Sequence, residues 1–271
     1  MSPRFDTILI TGAAGRLGTH LRSGLAPLAR RLRVSDRVEI KDLRPNEEVV
    51  ICDLSDFDAV LKLTEDVDAI VHFGGAALET NWQSILDSSI RGSYHIYEGA
   101  RRNGVKRIVY ASSVHAIGYH KIEDQIDADA PHRPDSLYGV SKCFVEDLSR
   151  LYWDKFGIET VCCRIFSSFD KFKDRRMLWS MLTFGDCVRL VEASLTAPRV
   201  AHSIIFGISN NRHRMVNNRL AGHIGFHPQD STEAFRAEVE GRLPAAGPDE
   251  PAVRFLGGWF VDLGHPDDPD E

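Results

Sequence analysis

No apolar run in the 271-residue sequence approaches the roughly 18 residues that cross a bilayer, and the opening Met1-Ser-Pro-Arg-Phe-Asp6 carries no long apolar segment. Neither a membrane span nor a secretory leader is expected, and the expected location is the cytoplasm. Positive charge is also scarce: 33 Lys and Arg stand against 39 Asp and Glu, a formal net charge of −6. Such a chain offers no general footprint for a phosphate backbone, so nucleic acid is not an expected partner. The five cysteines form no CxxC pair, which argues against a disulfide framework or a Cys-based zinc site and fits reduced, buried thiols. Among eleven histidines there is no HExxH or other ligand spacing, so no metal is expected. Internal repeats and low-complexity tracts are absent as well, and 43% apolar with 27% charged residues is ordinary for a globular chain.

What the sequence does contain is alternation. Short apolar runs at Thr7–Ile10, Leu32–Val34, Glu48–Cys52, Ala69–Phe73, Arg107–Ala111 and Thr160–Ile165 are separated by stretches of helical length. Parallel strands need long crossovers, usually helical, so this pattern predicts an α/β fold of the Rossmann type, a doubly wound parallel sheet. After residue 170 the pattern loosens, with helices expected near 175–182, 185–197 and 231–241 and a strand at Ser203–Phe206. The expected organisation is a dinucleotide-binding domain over 1–170 and a small C-terminal substrate-binding cap with its tail over 171–271, packed closely on the first. Leu243–Pro251 reads as a surface loop and Asp267–Glu271 as a frayed acidic end.

Thr11-Gly-Ala-Ala-Gly-Arg-Leu-Gly18 falls between the first strand and a helix beginning near Thr19. A glycine turn alone is weak evidence, but at a first strand-to-helix junction Gly12, Gly15 and Gly18 suit a tight turn, backbone approach to a pyrophosphate and close helix packing. Ala14, Arg16 and Leu17 complete that cofactor turn. Asp36 ends the second strand, 24 residues after Gly12, near the spacing of the acid that binds an adenosine ribose. This favours NAD. NADP is not excluded, because Arg37 and Arg16 lie near enough in sequence to offset the repulsion between Asp36 and a 2′-phosphate. Asp53, Phe73-Gly74-Gly75-Ala76, Ala111 and Ile165 fall at carboxyl ends of later strands, where parallel sheets bind ligands.

Tyr138-Gly-Val-Ser-Lys142 opens a helix, and four-residue spacing places Tyr138 and Lys142 on one face. A phenol is a poor base at neutral pH unless a fixed ammonium, assisted by the positive nicotinamide, stabilises its anion, which is the role expected of Lys142. Ser113, beyond the fifth strand, can bond the same substrate oxygen as Tyr138. His72 and His115 lie near strand ends, where a satisfied core histidine is the plainer reading of each.

These motifs resemble the extended short-chain dehydrogenase/reductases, with Asp53-Leu54, Ser112-Ser113 and Gly118 as further marks. Within that family the chain is most similar to bacterial uronate dehydrogenases, from about residue 6 to 262, through Ile117-Gly-Tyr119, Leu137–Phe144, Asp154–Gly157, Arg176-Met-Leu178 and Arg254–Asp262. The resemblance implies oxidation at C1 of a hexuronate pyranose to its lactone. Ser113, Tyr138 and Lys142 would be catalytic, and Tyr138 and Lys142 would also touch the cofactor, as would Leu54. Ala77, Ser113, Val114, His115, Tyr138, Ser167 and Arg176 would face the sugar. Arg176 would pair with the anion at C6, since its planar fork meets such a group through two parallel hydrogen bonds. The family also implies a homo-oligomer formed through the helices near 82–103 and 138–156.

Three positions depart from the family pattern. Val114 stands where an Asn follows the catalytic Ser, Ala77 where a Ser binds substrate, and Ser89 where a helix Asn lies behind the site. Lys171–Arg176 and Asn210–Met215 are basic and are expected over the sugar, which extends the expected substrates to acidic hexoses bearing a carboxylate, sulfonate or phosphate at C6, such as sulfoquinovose. A solvated surface is the plainer alternative for these charges. The same motifs admit two rival functions. A nucleotide-sugar epimerase or dehydratase fits less well, since Val114-His115 rather than an acid follows Ser113 and only 129 residues follow Lys142. A non-catalytic NAD(P) sensor would not need Ser113, Tyr138 and Lys142 together.

Overall fold

The computed structural model describes residues 3–268, so Pro269, Asp270 and Glu271 of the acidic tail lie outside it. Seven strands, β1 (Phe5–Thr11), β2 (Ala29–Asp36), β3 (Glu47–Ile51), β4 (Ala69–His72), β5 (Arg107–Ser113), β6 (Glu159–Ile165) and β7 (His202–Gly207), form one sheet in the order β3-β2-β1-β4-β5-β6-β7. Every neighbouring pair is parallel. The helices are α1 (Arg16–Leu25), α2 (Phe57–Leu63), α3 (Trp82–Ser84), α4 (Gly92–Arg102), α5 (Leu137–Phe156), α6 (Met177–Ser180), α7 (Phe184–Thr196), α8 (Arg236–Arg242) and α9 (Pro251–Arg254).

Pleating divides the core into two layers. Ile8 and Ile10 of β1 join Leu21 and Leu25 of α1 and Leu190 and Val191 of α7. Leu9, pointing the other way, joins Val60 of α2, Ile96 of α4, and Val145 and Tyr152 of α5. A sheet covered on both faces is the doubly wound arrangement that the alternation predicts. β7 is the seventh strand of this same sheet and α7 packs on α1, so both belong to the cofactor layer rather than the cap. The chain after β7, with α8 and α9, lies outside the sheet together with α6. Its tail is tied down at Asp267, whose carboxylate accepts from Trp82 N at 3.2 Å.

β2 is longer than its apolar run because three of its residues are arginines with specific partners. Arg31 donates to Thr7 Oγ1 at 2.9 Å, and the buried Arg33 donates to the carbonyls of Leu63 and Glu65 at 2.9 and 2.6 Å. α5 starts at Ser136, whose hydroxyl accepts from Gly139 N at 3.0 Å, and stops at Gly157 in the left-handed region at φ 68°. Between α3 and α4 the chain makes a π-helical stretch, Ile85–Arg91, whose wider turns set the orientation of Ser89.

Candidate active site

The strand order reverses between β1 and β4, and the crevice at their carboxyl ends is where such sheets take ligands. A cavity of about 360 Å³ occupies this place. Gly12, Gly15, Arg16, Leu17 and Gly18 from the first turn line it, with Phe73, Gly75 and Ala76 after β4, Ala111 of β5 and Ile165 of β6. Gly12 adopts φ +69°, and a Cβ there would sit 2.5 Å from Phe73 O; on Gly18 it would sit 2.1 Å from Gly12 O. Only glycine permits these close approaches, so the turn has the cradle a pyrophosphate needs.

Asp36, Arg37 and Asp53 lie outside this cavity, further along the sheet edge. Both carboxylate oxygens of Asp36 are fixed by main-chain donors, Ala14 N at 3.0 Å and Arg37 N at 2.8 Å. Arg16 does not accompany it. Its Nε meets Asp170 at 3.1 Å, its Nη1 meets Ser168 O at 3.3 Å, and its guanidinium lies 4.8 Å from the Phe169 ring centre. The expectation that Arg16 offsets repulsion at Asp36 is therefore corrected: the loop after β6 holds Arg16 at the opposite end of the turn. Asp53 accepts from Ser55 N at 2.9 Å. Leu54 packs beneath Gly74, where an added Cβ would come 2.9 Å from Leu54 Cδ1.

The loop after β4 is held by side chains from three sides. Gly74 N donates to Thr11 Oγ1 at 3.1 Å, and Thr11 is bonded to His72 Nδ1 at 2.8 Å, while His72 Nε2 reaches Ser93 Oγ at 3.0 Å. His72 is fully buried, and burial, with the nearby Lys142 charge, pushes it down to about 3. It is a neutral core histidine. Ser89 accepts from Ala76 N at 3.0 Å. Glu79 ends the loop and accepts from Leu137 N at 3.1 Å and Tyr138 N at 2.7 Å, a link to α5 that sequence reasoning missed.

The catalytic candidates come together. Ser113 ends β5, Tyr138 and Lys142 project from α5, and all three line the cavity. Lys142 Nζ donates to Ala111 O at 2.9 Å and lies 4.9 Å from the centre of the Tyr138 ring. Burial pushes Tyr138 up to about 12, with the Ser113 hydroxyl pulling it down and Asp135 pushing it further up. Burial pushes Lys142 down to about 8, countered by Glu146. Of the groups around the phenol, the Ser113 hydroxyl is the one whose hydrogen bond favours the phenolate. His115 also lines the cavity: its Nδ1 is bonded to Asp135 at 2.8 Å and its ring stacks on Phe260 with centres 3.6 Å apart. Gly118 and Gly257 make room for Asp135, since a Cβ on either would come 1.8 Å from Asp135 Oδ2.

On the cap side, Ala77, Val114, Ser167 and Arg176 line the cavity. Burial pushes Arg176 down to about 10, with Asp174 and Asp135 opposing. Arg176 Nη2 donates to Leu256 O, its Nε is buried without a partner, and it has no carboxylate partner among the described residues. Gly258, at φ +65°, leaves the space that this guanidinium fills, because a Cβ there would lie 3.0 Å from Arg176 Cζ. Trp259 and Phe260 form a wall that sequence reasoning did not assign to the site, although the Arg254–Asp262 motif contains them.

The basic loops divide. Lys173 and Arg176 reach the cavity, but Arg175 turns away to the carbonyls of Leu243 and Glu240 at 2.6 and 2.5 Å. Asn210–Met215 does not cover the sugar position as expected; bonds such as Asn210 N to Asp230 O at 2.9 Å fold it against the far side of α6. Among the described residues no cluster of three metal-ligating side chains occurs, and no helix is long and apolar enough to cross a membrane.

Residues 8–183 match the model of the NAD dependent epimerase/dehydratase family. The chain is 48% identical over 261 residues to the uronate dehydrogenase of Pseudomonas putida, covering 96% of this chain and 97% of that one. The crystal structure of glucuronic acid dehydrogenase from Chromohalobacter salexigens superposes with a TM-score of 0.95 at 45% identity, covering 97% and 99%. A mutant uronate dehydrogenase of Agrobacterium tumefaciens complexed with NAD gives 0.92 at 43% identity, covering 96% and 98%. The chain belongs to the NAD dependent epimerase/dehydratase family, among its uronate dehydrogenase relatives.

Proposed function

We propose that the protein is an NAD-dependent dehydrogenase that oxidises C1 of a hexuronate pyranose to the corresponding lactone. The observation that carries the substrate class is Arg176, an enclosed guanidinium with no carboxylate of its own, in the same cavity as Ser113, Tyr138 and Lys142. Leaving such a cation without an anion is costly, and a C6 carboxylate would satisfy it.

NAD, when bound, accepts the hydride that leaves C1. The residues named from the sequence supply the rest. Gly12, Ala14, Gly15, Arg16, Leu17 and Gly18 form the turn facing the pyrophosphate, while Asp36 holds the adenosine ribose with Arg37 and Asp53 beside it. Phe73, Gly74, Gly75 and Ala76, supported by Leu54, run along the nicotinamide side with Ala111 and Ile165. Ser113 holds the anomeric oxygen and Tyr138 takes its proton, so that one proton goes to the phenolate and two electrons leave with the hydride. Lys142 fixes the ring position of Tyr138 and the field around it. Ala77 and Val114 offer apolar contact to the sugar, and His115, with Nδ1 occupied by Asp135, and Ser167 offer polar contact. Hydride transfer requires no metal.

The enzyme acts in this reading as a cytoplasmic homo-oligomer, paired with a second copy through α4 and α5. The free thiols of Cys52, Cys143, Cys162, Cys163 and Cys187 suit that location. The test is NADH formation with D-glucuronate, D-galacturonate, sulfoquinovose, D-glucose 6-phosphate and D-glucose. Preferred turnover of the uronates is expected, and Arg176→Ala should raise KM for them while leaving the poor turnover of glucose as it was. Equal or better turnover of glucose by the unmodified enzyme overturns the reading.

A further inference from the structure

A second cavity, of about 430 Å³, lies on the opposite side of α6 from the active site. The stretch after β7, residues 208–219, forms most of it, and Phe226, His227 and Pro228 close one end. Although the chain carries more acid than base, no carboxylate lines this cavity, whereas Arg214, Arg219, His213 and His227 do. Arg219 is occupied, with its Nε 3.3 Å from Asp127. Arg214 is exposed at the rim, and its guanidinium forms no salt bridge among the described residues, unlike those of Arg212 and Arg219. Trp179 supplies an aromatic face, its ring centred 4.5 Å from that of His213.

An aromatic face, a free guanidinium and neighbouring amides in a concave site without carboxylates suit a ligand carrying both hydroxyls and an anion. We propose that this cavity is a regulatory site for a polyhydroxy acid. Acids of this class form whenever a sugar lactone, the product assigned to the active site, opens in water.

The two cavities share a wall. Arg176 and Met177 line the first and Trp179 lines the second, all within one turn of chain. Asn211 ties the second cavity to that turn, its Nδ2 donating to the carbonyls of Trp179 and Met181 at 2.9 Å each. A ligand that draws Trp179 or the Asn211 segment inward therefore moves the turn that carries Arg176, whose carbonyl accepts from Trp179 N at 2.8 Å. The link to substrate affinity rests on the proposed role of Arg176; occupancy of the cavity does not.

Calorimetric titration of the full chain with D-glucarate and, separately, inorganic phosphate tests the site. D-glucarate should bind the unmodified protein and Arg176→Ala, bind Arg214→Ala at least about tenfold more weakly, and bind more tightly than phosphate. In steady-state assays glucarate should change KM for D-glucuronate several-fold, an effect absent in Arg214→Ala, whose turnover without glucarate stays normal. Binding lost in Arg176→Ala but kept in Arg214→Ala would place glucarate in the active site alone and overturn the proposal. Equal binding of phosphate, or no heat with either probe, overturns it too. Failure to oxidise any uronate would instead overturn the proposed function, while the titration would still decide the cavity.

Discussion

Glu79 accepts the main-chain N–H of Tyr138 at 2.7 Å with one carboxylate oxygen and that of Leu137 at 3.1 Å with the other. Those donors belong to the first turn of α5, which no intrahelical carbonyl can satisfy, and a negative charge there also suits the helix dipole. Because Glu79 ends the loop whose Gly75, Ala76 and Ala77 line the cavity, it ties that wall of the cavity to Tyr138. Glu79→Ala should lower kcat by roughly ten- to a hundredfold, the scale of a small misplacement of reacting groups, and Glu79→Gln, which keeps an acceptor, by less. Kinetics beside melting curves checks this: a lower melting temperature with kcat untouched would reduce Glu79 to a helix cap.

Tyr138→Phe should lower turnover by about 10²- to 10⁴-fold while NAD still binds, since only the proton acceptor is removed. The pH profile separates Ser113 from a mere substrate contact. Burial raises Tyr138 to about 12 and Ser113 is the neighbour that lowers it. Ser113→Ala should therefore push the rising limb of the oxidation rate to more alkaline pH as well as lowering kcat. An unchanged limb would show that Ser113 does not act on the phenol.

Asp36 is pinned by Ala14 N and Arg37 N, and Arg16 is engaged with Asp170 and Ser168. A 2′-phosphate would meet a fixed carboxylate, and like charges so placed cost several kcal/mol. The enzyme should prefer NAD over NADP by roughly a hundredfold or more in kcat/KM, and Asp36→Ser should narrow that ratio mainly by improving NADP. Comparable efficiency with both cofactors in the unmodified enzyme would mean that Asp36 does not face the ribose.

Val140, Phe144 and Leu151 leave an exposed apolar stripe on α5, at spacings that keep them on one side of the helix, and Tyr94 of α4 is exposed as well. If a second copy covers this stripe, Phe144→Glu should yield monomers in light scattering coupled to size exclusion. A monomeric unmodified protein would remove the proposed pairing.

The sheet and the meeting of Ser113, Tyr138 and Lys142 in one cavity were legible because both rest on local signals: apolar runs of strand length, a glycine turn at the first junction, and Tyr138 and Lys142 one helical turn apart. β2 was only half legible, since Arg31 and Arg33 break its apolar pattern and are accommodated through Thr7, Leu63 and Glu65, contacts that exist only after folding. Glu79 was invisible for the same reason, its partners lying 58 and 59 positions away. Charge misplaced Asn210–Met215, because a basic stretch does not by itself say on which side of α6 the chain passes.

Behind the catalytic strand, Glu146 is buried and takes four hydrogen bonds. Oε1 accepts from Ser112 Oγ at 2.5 Å and Arg164 Nε at 3.0 Å, while Oε2 meets Arg164 Nη2 at 2.8 Å and His132 Nε2 at 2.7 Å. Burial alone would raise this carboxyl, but the bonds from His132 and Arg164 outweigh it and hold it at about 2. Arg164→Ala strands the carboxylate and should destabilise the fold by about 3–5 kcal/mol, whereas replacing Arg164 and Glu146 together by methionines should cost far less. His132, beside Cys143 and Glu146, is raised from 6.5 to about 10. A raised folded value means its contribution is complete below pH 6.5, declines above it and is gone once the pH has passed about 10. Urea unfolding between those pH values should show stability falling with pH, and the fall should be shallower in His132→Gln; parallel curves for the two proteins would show that His132 is not held charged by this network.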